Sequence, residues 1–566
     1  MTSNHSHTII PFLPKMLFLY TFAVLLMPNI ALCLTDHMDR WAAACNIVLP
    51  SGLYLLLLSL GRNVGKSVFW VFPLIFLAAF QMVLLYLFGR SIIAVDMFLN
   101  LVTTNPGEAC ELLCQMMPAV VFVCVVYLPP LALGGYLWHT RYGLTPCFVR
   151  GSRRLGGAVC LAGVLTVCGA SSLRRDYSAS EDLYPLNVFL NLFMAMERTS
   201  ATNSYTERTA GFSFGATSMH CPDSMETYVL VVGETARAAN FSLYGYGRDT
   251  NPRLTGKDGL VAFTDALTES NTTHKSVPML LSAAHASDYG RLNHEKGIIA
   301  AFREAGFTTV FLSCQQPNHA YIDFMGKEAD KWKFVNSGKT QTTGHDTALL
   351  TELRDILHTR PRKLFVVLHT YGSHFSYRER YQRQAAAFLP DSPAEAVSSN
   401  RESLVNAYDN SIRATDAFLS TLIDMIAERD GYAALLYTSD HGENIFDDSR
   451  KRFLHASPIP TAYDLWVPLV VWCSKSYRQA FADQWESLCS NRSKPVGTST
   501  SVFFTLLQMG GIESPARTDS LSLASSLFRS RPRYYLTDRN KAVRIDSMKL
   551  DRLDIIALKS WHLAYP

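Results

Sequence analysis

The sequence predicts a membrane-anchored α/β protein, with five apolar helices followed by an outer domain built on a mostly parallel sheet. Apolar residues make up 48% of the 566 residues, and the long apolar runs all lie before residue 175. From residue 226 onward, short apolar runs alternate with helical stretches. Several of these runs end in carboxylate or imidazole side chains, which is typical of the ligand-binding edge of an open parallel sheet.

Five segments near the N-terminus approach the length of a membrane span, which needs about 20 apolar residues. They are residues 14–34, 44–60, 67–88, 117–138 and 155–173. The first is not interpreted as a cleaved signal peptide, because it lacks a basic lead-in beyond Lys15 and because Leu32 before Cys33 spoils a lipoprotein-type processing site. We expect it to be retained as a helix.

Basic residues in two short loops predict the orientation. They are Arg62 and Lys66 between spans two and three, and Arg141, Arg150, Arg153 and Arg154 between spans four and five. Because such residues favour the cytoplasmic side, the chain beyond residue 175 is expected to face the periplasm of a bacterial inner membrane. These arginines largely explain the net charge of +4, which gives no reason to expect a nucleic-acid partner.

This division predicts a transmembrane domain over residues 1–175, a linker over 176–225 and a catalytic domain over 226–566. The linker is polar except for an apolar patch at 188–194. The patch predicts either an interfacial helix lying on the membrane or a helix packed against the globular domain.

The outer domain is predicted to have helices on both faces of its sheet. The strand candidates are 227–233, 307–313, 363–369, 433–439 and 467–473, and the helix candidates are 295–305, 345–358 and 402–428. This alternation is typical of a parallel α/β sheet. Residues 375–400, rich in Arg, Ala, Pro and Ser, are expected to run over the surface.

Polar clusters follow four of the predicted strands. They are Glu234, then Cys314-Gln315-Gln316, then His369 with Gly372-Ser373-His374, and finally Asp440-His441. Because parallel strands end at one edge of the sheet, Glu234, Asp440 and His441 are predicted to converge. Carboxylate and imidazole ligands suit Zn2+, with Mn2+ as the rival because oxygen ligands dominate.

A metal of this kind activates a nearby hydroxyl, and the segment 271–278 offers threonines before an apolar helical stretch. A hydroxyl at a helix N-terminus also meets backbone N–H groups that can hold a phosphate. The alternative is that Thr272 or Thr273 only caps the helix. The residues alone do not choose between the two threonines.

Several short motifs are shared with one enzyme family. They are Gly233-Glu234-Thr235-Ala236-Arg237, Tyr244-Gly245-Tyr246, Arg248-Asp249-Thr250, Thr273 with Ser276-Val277-Pro278, Leu368-His369-Thr370 with Gly372-Ser373-His374, Tyr408-Asp409-Asn410, Asp440-His441-Gly442-Glu443 and Leu454-His455. Together they resemble the bacterial phosphoethanolamine transferases of the alkaline phosphatase and sulfatase superfamily. The resemblance spans nearly the whole chain. It implies five transmembrane helices before an alkaline phosphatase-like α/β/α periplasmic domain.

The resemblance also implies a metal centre and a nucleophile. Glu234, Asp440 and His441 match the protein ligands of the catalytic zinc. Thr273 matches the nucleophile, which also contacts the metal. Thr235 and Thr272 have no such role by this comparison.

Further residues match the substrate side of the family's site. His374 and His455 match histidines that bind the phosphoryl group or an additional zinc ion, and either is a candidate to protonate the leaving group. His369 is a weaker candidate for the same region. A segment containing Thr104, Asn105 and Glu108, in the outer loop between spans three and four, resembles one that lies close to the family's active site.

The implied reaction is transfer of phosphoethanolamine from phosphatidylethanolamine to lipid A or another envelope glycan, through an adduct on Thr273. Acceptor recognition is expected in residues 375–400 and in Gln315, Gln316 and His319. The alternatives are a phosphoglycerol transferase of the lipoteichoic acid synthase type and a non-catalytic envelope protein that binds lipid or glycan. A sulfatase is disfavoured, because no Cys/Ser-x-Pro/Ala-x-Arg maturation motif stands at the nucleophile.

The chain departs from the family pattern around the nucleophile. Asn271 and Met279 stand near positions where members related to polymyxin resistance carry disulfide cysteines, so packing is expected to hold this loop. His274 and Lys275 replace small or apolar residues. They are predicted to contact an anionic acceptor, or, for Lys275, to be a solvated structural residue. The outer-domain cysteines do not have zinc-ribbon spacing, and whether they form disulfides is left open; they are Cys221, Cys314, Cys473 and Cys489.

Overall fold

A computed structural model describes residues 12–36, 38–89, 92–103, 113, 116–173, 177–335, 345–393, 395–548 and 550–565. The chain forms two compact units. The first comprises Met1–Phe98 and Met116–Met196, and the second comprises Leu99–Gln115 and Glu197–Pro566. The domain boundaries near residues 175 and 226 remain a prediction.

Apolar helices of seven to 28 residues make up most of the first part of the chain. They are α1 Leu13–Thr35, α2 Arg40–Leu58, α3 Val64–Trp70, α4 Phe72–Phe88, α5 Val95–Thr103, α6 Met117–Thr140, α7 Pro146–Leu173 and α8 Leu186–Asn203, with a one-turn helix at Ala179–Asp182. Among the described residues, α1, α2, α6 and α7 are each long and apolar enough to cross a membrane, and α3 with α4 makes a fifth span if the pair is counted as one. The five-helix prediction is confirmed in this sense.

The third predicted span is broken in two. Helices α3 and α4 meet at an angle of 61°. Pro73 lies in the first turn of α4, and a proline in that place has no N–H to continue the preceding helix. The break therefore follows from the sequence.

Helix α8 occupies the predicted linker and has one exposed apolar face. The side chains of Leu186, Leu190, Phe193 and Met196 are between 36% and 68% exposed and recur every three or four residues. Val188, on another face of the helix, is fully buried. The exposed stripe has the pattern of an interfacial helix, and that role remains a prediction.

The outer unit is built on a seven-stranded sheet. Its strands are β1 Glu226–Gly233, β2 Leu260–Ala262, β3 Thr308–Ser313, β4 Lys331–Phe334, β5 Lys363–His369, β6 Tyr432–Ser439 and β7 Leu469–Cys473. Their order across the sheet is β2-β7-β6-β1-β5-β3-β4, and only the pairings of β7 with β6 and β2 are antiparallel. The predicted, mostly parallel sheet is confirmed.

Nine longer helices belong to the outer unit. They are α9 Thr273–Leu280, α10 Ile298–Glu304, α11 Tyr321–Gly326, α12 Thr347–His358, α13 Arg401–Ala427, α14 Lys475–Ala480, α15 Ala482–Asn491, α16 Thr498–Met509 and α17 Arg552–Ser560, with single turns at Tyr205–Thr209 and Ala462–Leu465 in the described chain. Helices α10, α12 and α13 correspond to the three predicted ones.

The central strand β1 is buried on both faces, which explains its continuous apolar run. Leu230 and Val232 pack into a core with Phe302 of α10 and Phe503 of α16. Because side chains alternate along a strand, Val231 points to the opposite face, where it is also fully buried. Burial on both faces is what the predicted α/β/α layering requires.

The register of the sheet brings the ends of its central strands together. Val232 of β1 pairs with His369 of β5, and Gly233 pairs with Ser439 of β6. The residues that follow these strands, including Glu234 and Asp440, therefore lie next to one another at one edge of the sheet.

The expectation that residues 375–400 run over the surface is wrong for the first part of this segment. Residues 375–400 contain short 3-10 turns at Tyr377–Arg380, Arg383–Ala385 and Ser398–Asn400. Tyr377 and Arg380 are only 1% and 4% exposed. The Tyr377 ring packs on Tyr408 of α13, and Arg380 donates to backbone carbonyls of the loop after β5.

Candidate active site

The three predicted metal ligands lie together beyond the ends of β1 and β6. Glu234, Asp440 and His441 each offer a ligand atom, and these atoms all lie within 4.8 Å of one another. The side chains are buried. His441 Nε2 lies 3.4 Å from Glu234 Oε1 and 3.2 Å from Asp440 Oδ2.

Thr273, the first residue of α9, has its hydroxyl at this cluster. Its Oγ1 donates to Glu234 Oε1 at 3.1 Å and lies 3.2 Å from His441 Nε2. Thr272 stands at the N-cap position, but its side chain makes no capping hydrogen bond and instead lies 3.2 Å from the hydroxyl of Ser270. Thr273 is therefore the member of this threonine pair whose hydroxyl contacts both an acid and an imidazole of the cluster.

The ring of His441 is held in one tautomer. Its Nδ1 lies 2.9 Å from the carbonyl oxygen of Gly442. Since a carbonyl only accepts, Nδ1 carries the hydrogen and Nε2 turns its lone pair toward Glu234, Asp440 and Thr273. A backbone contact of this kind commonly orients histidines that bind metals.

The charges of the cluster favour a bound cation. Burial, reinforced by the charge of Glu234, raises the pKa of Asp440 to about 7. Two adjacent buried carboxylates stay ionised together only when positive charge lies close to both. Two carboxylates, one imidazole nitrogen and one hydroxyl form a donor set that zinc accepts, so these residues fit a divalent metal ion.

The two histidines predicted on the substrate side lie next to the cluster. The centre of the His455 ring lies 4.1 Å from the centre of the His441 ring and 6.5 Å from the centre of the His374 ring. His455 Nδ1 is 3.4 Å from Glu443 Oε1. Oε2 of Glu443 is buried and has no hydrogen-bond partner among the described residues. These side chains form a polar wall beside His441.

His369 lies at the end of β5. Its Nδ1 is 3.1 Å from Ser313 Oγ, and burial lowers the pKa of the imidazole to about 4, so this histidine is neutral near pH 7. Thr104, Asn105 and Glu108 lie outside the described residues.

Two residues support the cluster in ways that the sequence did not reveal. Gln315, expected to recognise the acceptor, donates from Nε2 to Glu234 Oε2 at 2.9 Å. Arg237 is 2% exposed and donates to the carbonyl of Glu443 at 2.9 Å and to Asp447 Oδ2 at 2.7 Å. Its place in the Gly-Glu-Thr-Ala-Arg motif indicated that Arg237 belongs near the site, but the motif did not show what Arg237 contacts.

The loop before α9 is held without disulfides. Asn271 donates to the carbonyl of Ser457 at 3.0 Å and accepts from Tyr535 at 2.6 Å. Met279 is fully buried. Packing and side-chain hydrogen bonds thus hold this loop, as predicted. The outer-domain cysteines Cys221, Cys314, Cys473 and Cys489 are free thiols.

Lys275 is neither solvated nor placed at the surface for an acceptor. It is 1% exposed, and its Nζ donates to the carbonyls of Thr537 at 2.9 Å and Asp538 at 3.3 Å. His274 is partly exposed, and its Nδ1 lies 3.2 Å from Asn100 Oδ1. The lysine ties helix α9 to a turn that is distant in sequence.

The family model for sulfatases matches residues 226–512, which is just over half of the chain. The protein belongs to the sulfatase family. This sulfatase-family protein is 26% identical over 478 residues to phosphoethanolamine transferase EptA of Salmonella typhimurium, a match that covers 78% of this chain and 82% of the relative. It is 30% identical over 309 residues to the Kdo(2)-lipid A phosphoethanolamine 7''-transferase of Escherichia coli K12, covering 51% of this chain and about half of that relative.

Solved structures show the same fold. The integral membrane protein lipooligosaccharide phosphoethanolamine transferase A from Neisseria meningitidis superposes with a TM-score of 0.70 at 23% identity, over 90% of this chain and 97% of that chain. The periplasmic domain of EptC from Escherichia coli, in complex with Zn, superposes with a TM-score of 0.54 at 20% identity, over 59% of this chain and 96% of that chain. The predicted resemblance of this sulfatase-family protein to phosphoethanolamine transferases is confirmed.

Proposed function

We propose that the protein transfers phosphoethanolamine from phosphatidylethanolamine to lipid A or another envelope glycan, with Thr273 as the nucleophile. One observation carries the proposal. The Thr273 hydroxyl lies at the N-terminus of α9 and within hydrogen-bond distance of both Glu234 and His441 in a buried ligand cluster. The relatives named as phosphoethanolamine transferases support the choice of transferred group.

Glu234, Asp440, His441 and Thr273 would hold the metal ion, which we propose to be zinc, with manganese as the alternative. A metal bound there would polarise the phosphoryl group and lower the pKa of the Thr273 hydroxyl. The zinc complex of the Escherichia coli EptC domain supports zinc over manganese.

In the first step, Thr273 Oγ1 releases its proton to solvent and forms a bond to the phosphorus of phosphatidylethanolamine while the bond to the diacylglycerol oxygen breaks. Phosphoethanolamine is then held covalently on Thr273. The departing alkoxide takes a proton from His374, which lies beside the cluster. Burial lowers the pKa of the His455 imidazole well below its usual range, so His455 is neutral and does not supply this proton.

In the second step, a phosphate or hydroxyl oxygen of the acceptor attacks the same phosphorus. The bond to Thr273 Oγ1 breaks, and the threonine regains its proton. The N–H groups at the start of α9 stabilise negative charge on the phosphoryl oxygens in both steps.

The membrane half gives this chemistry its location. Helices of spanning length and the basic loops between them support an inner-membrane protein whose outer unit faces the periplasm. The proposed donor and acceptor are both lipids, so anchoring confines enzyme and substrates to one surface.

Substitution of Thr273 tests the proposal. The full-length protein in phosphatidylethanolamine micelles with a purified lipid A acceptor is expected to form phosphoethanolamine-modified lipid A, detected by mass spectrometry. Thr273→Ala abolishes this product because it removes the hydroxyl that contacts both Glu234 and His441. Thr272→Ala is the matched control and retains transfer, since its hydroxyl contacts Ser270 instead. Normal product from Thr273→Ala would refute the proposal, and phosphoglycerol in the product would favour the alternative transferase.

A further inference from the structure

The loop that carries His374 passes over the metal centre. It runs from Tyr371 to Phe375, and the N–H of Ser373 donates to the carbonyl of Glu234 at 2.9 Å. His374 Nδ1 lies 2.6 Å from the carbonyl oxygen of Phe375. This nitrogen therefore carries a hydrogen that the Phe375 carbonyl accepts, and Nε2 is the nitrogen left to exchange a proton. The direction of the imidazole thus depends on where the Phe375 carbonyl points.

Arg380 donates hydrogen bonds to two backbone carbonyls of this loop. The side chain is 4% exposed, its Nε donates to the His374 carbonyl at 2.9 Å, and its Nη2 donates to the Phe375 carbonyl at 3.4 Å. Its guanidinium carbon lies 4.1 Å from the centre of the Tyr371 ring. A guanidinium is always charged and offers several donors in one plane. One side chain therefore fixes two consecutive carbonyls and a ring.

Asp346 accepts hydrogen bonds from two backbone N–H groups of the same loop. It precedes α12, and its Oδ1 accepts from the N–H of Tyr371 at 2.6 Å. Its Oδ2 accepts from the N–H of Gly372 at 3.0 Å. The backbone on both sides of His374 is thus tied to two polar side chains that lie outside the ligand cluster.

We propose that Arg380 and Asp346 are positioning residues that aim His374 at the transferred phosphoryl group. The inference rests on the proposed function, in which His374 is a candidate to protonate the departing alkoxide. A shift of about 1 Å in such a group lowers the rate by about 100-fold. Both side chains therefore act on the chemical step through the loop, without contacting the substrate.

A double-mutant cycle on the full-length protein tests this role, with a fluorescent phosphatidylethanolamine as donor. Arg380→Met removes the donors but keeps most of the bulk, and it is expected to lower kcat by about tenfold or more. KM for the donor and the metal content stay at wild-type values. Asp346→Asn, which replaces one acceptor oxygen by a donor, lowers kcat in the same direction. In a His374→Ala background, Arg380→Met causes no further loss, because the arginine acts through this histidine.

Arg378→Met is the matched control. Arg378 lies in the same short turn, but it pairs with Asp391 at 3.3 Å and stacks on Tyr381 instead of the loop. This variant is expected to keep the wild-type kcat. If Arg380→Met does not fold, Arg380→Lys replaces it in the cycle. The expected loss of kcat is then smaller, and it must also disappear in the His374→Ala background.

A wild-type kcat in the Arg380 variant overturns the positioning role. So do losses that multiply in the double variant, since the arginine then serves the fold alone. When the wild-type protein transfers phosphoethanolamine, either result counts against this inference only, whereas a wild-type protein without transfer overturns the proposed function as well.

Discussion

At the scale of single residues, Gln315 links the end of β3 to the ligand cluster of Glu234, Asp440 and His441. Its Nε2 donates to Glu234 Oε2 at 2.9 Å and to the carbonyl of Thr370 at 3.1 Å. With Oε2 engaged in this way, Oε1 of Glu234 remains directed at Thr273. The orientation of a ligating carboxylate depends on such contacts.

Gln315→Ala is therefore expected to weaken metal binding by about tenfold. The reason is that Glu234 loses the donor that holds its carboxylate in place. The measurement is zinc affinity by competition with a chelator on the purified protein. Gln316→Ala is the control, because no described hydrogen bond joins Gln316 to Glu234. Equal affinities for the two variants would contradict this account.

The sequence grouped the proposed metal ligands more firmly than it chose the proposed nucleophile. Glu234, Asp440 and His441 follow recognisable strands, and the rule that parallel strands end together was sufficient to group them. Thr272 and Thr273 are adjacent and chemically identical. Which hydroxyl faces Glu234 is decided by where α9 begins, and only the resemblance to the family identified Thr273 beforehand.

At the scale of elements, the turn after β5 is shaped by close packing against β1. Gly372 has φ +53°, and a Cβ at this position would lie 2.6 Å from the carbonyl oxygen and 2.8 Å from the nitrogen of Glu234. Both distances are shorter than van der Waals contact. Glycine at this position allows the His374 loop to lie directly on Glu234, a member of the ligand cluster.

Gly372→Ala is expected to destabilise the outer unit by about 2 kcal/mol through backbone strain. It also weakens metal binding, because the clash moves the backbone of Glu234. Thermal unfolding in detergent and metal content by elemental analysis measure the two effects. Gly290→Ala is the control, since a Cβ there meets nothing within 4 Å. A Gly372→Ala protein with the unfolding temperature and metal content of the control would show that the turn tolerates a side chain.

Element boundaries were largely predictable, and one surface segment was not. Predicted strand 363–369 matches Lys363–His369, and helix 402–428 differs by one residue at each end from Arg401–Ala427. Residues 375–400 carry the composition of a surface loop, yet Arg380 turns inward. Its partners are backbone carbonyls of His374 and Phe375, and composition contains no signal for contacts of that kind.

At the scale of the whole molecule, helices of spanning length precede the outer unit that holds the ligand cluster. Helix α8 has an exposed apolar stripe that includes Phe193, which is 68% exposed. An amphipathic helix of this kind binds the membrane interface through its apolar face. The sequence predicted the helix from its apolar patch but left open whether it packs on lipid or on protein.

The variant Phe193→Asp distinguishes the hypothesis that α8 lies on the membrane from the hypothesis that it packs on protein. If α8 lies on the membrane, the variant loses transfer activity severalfold in phosphatidylethanolamine vesicles and keeps it in detergent micelles, because a charge on the apolar face opposes binding to the interface. Leu527→Asp, at a residue that is 60% exposed in the outer unit, is the control and behaves as the wild type in both media. Equal losses in vesicles and micelles would favour the protein-packing reading.

The proposed mechanism depends on Thr273 carrying the transferred group between donor and acceptor. The most direct measurement is peptide mass spectrometry of the full-length protein after incubation with phosphatidylethanolamine in the absence of an acceptor. We expect a phosphoethanolamine adduct on Thr273 that disappears when lipid A is added. An adduct on another residue, or transfer to lipid A with no adduct on Thr273 at any time during the reaction, would contradict it.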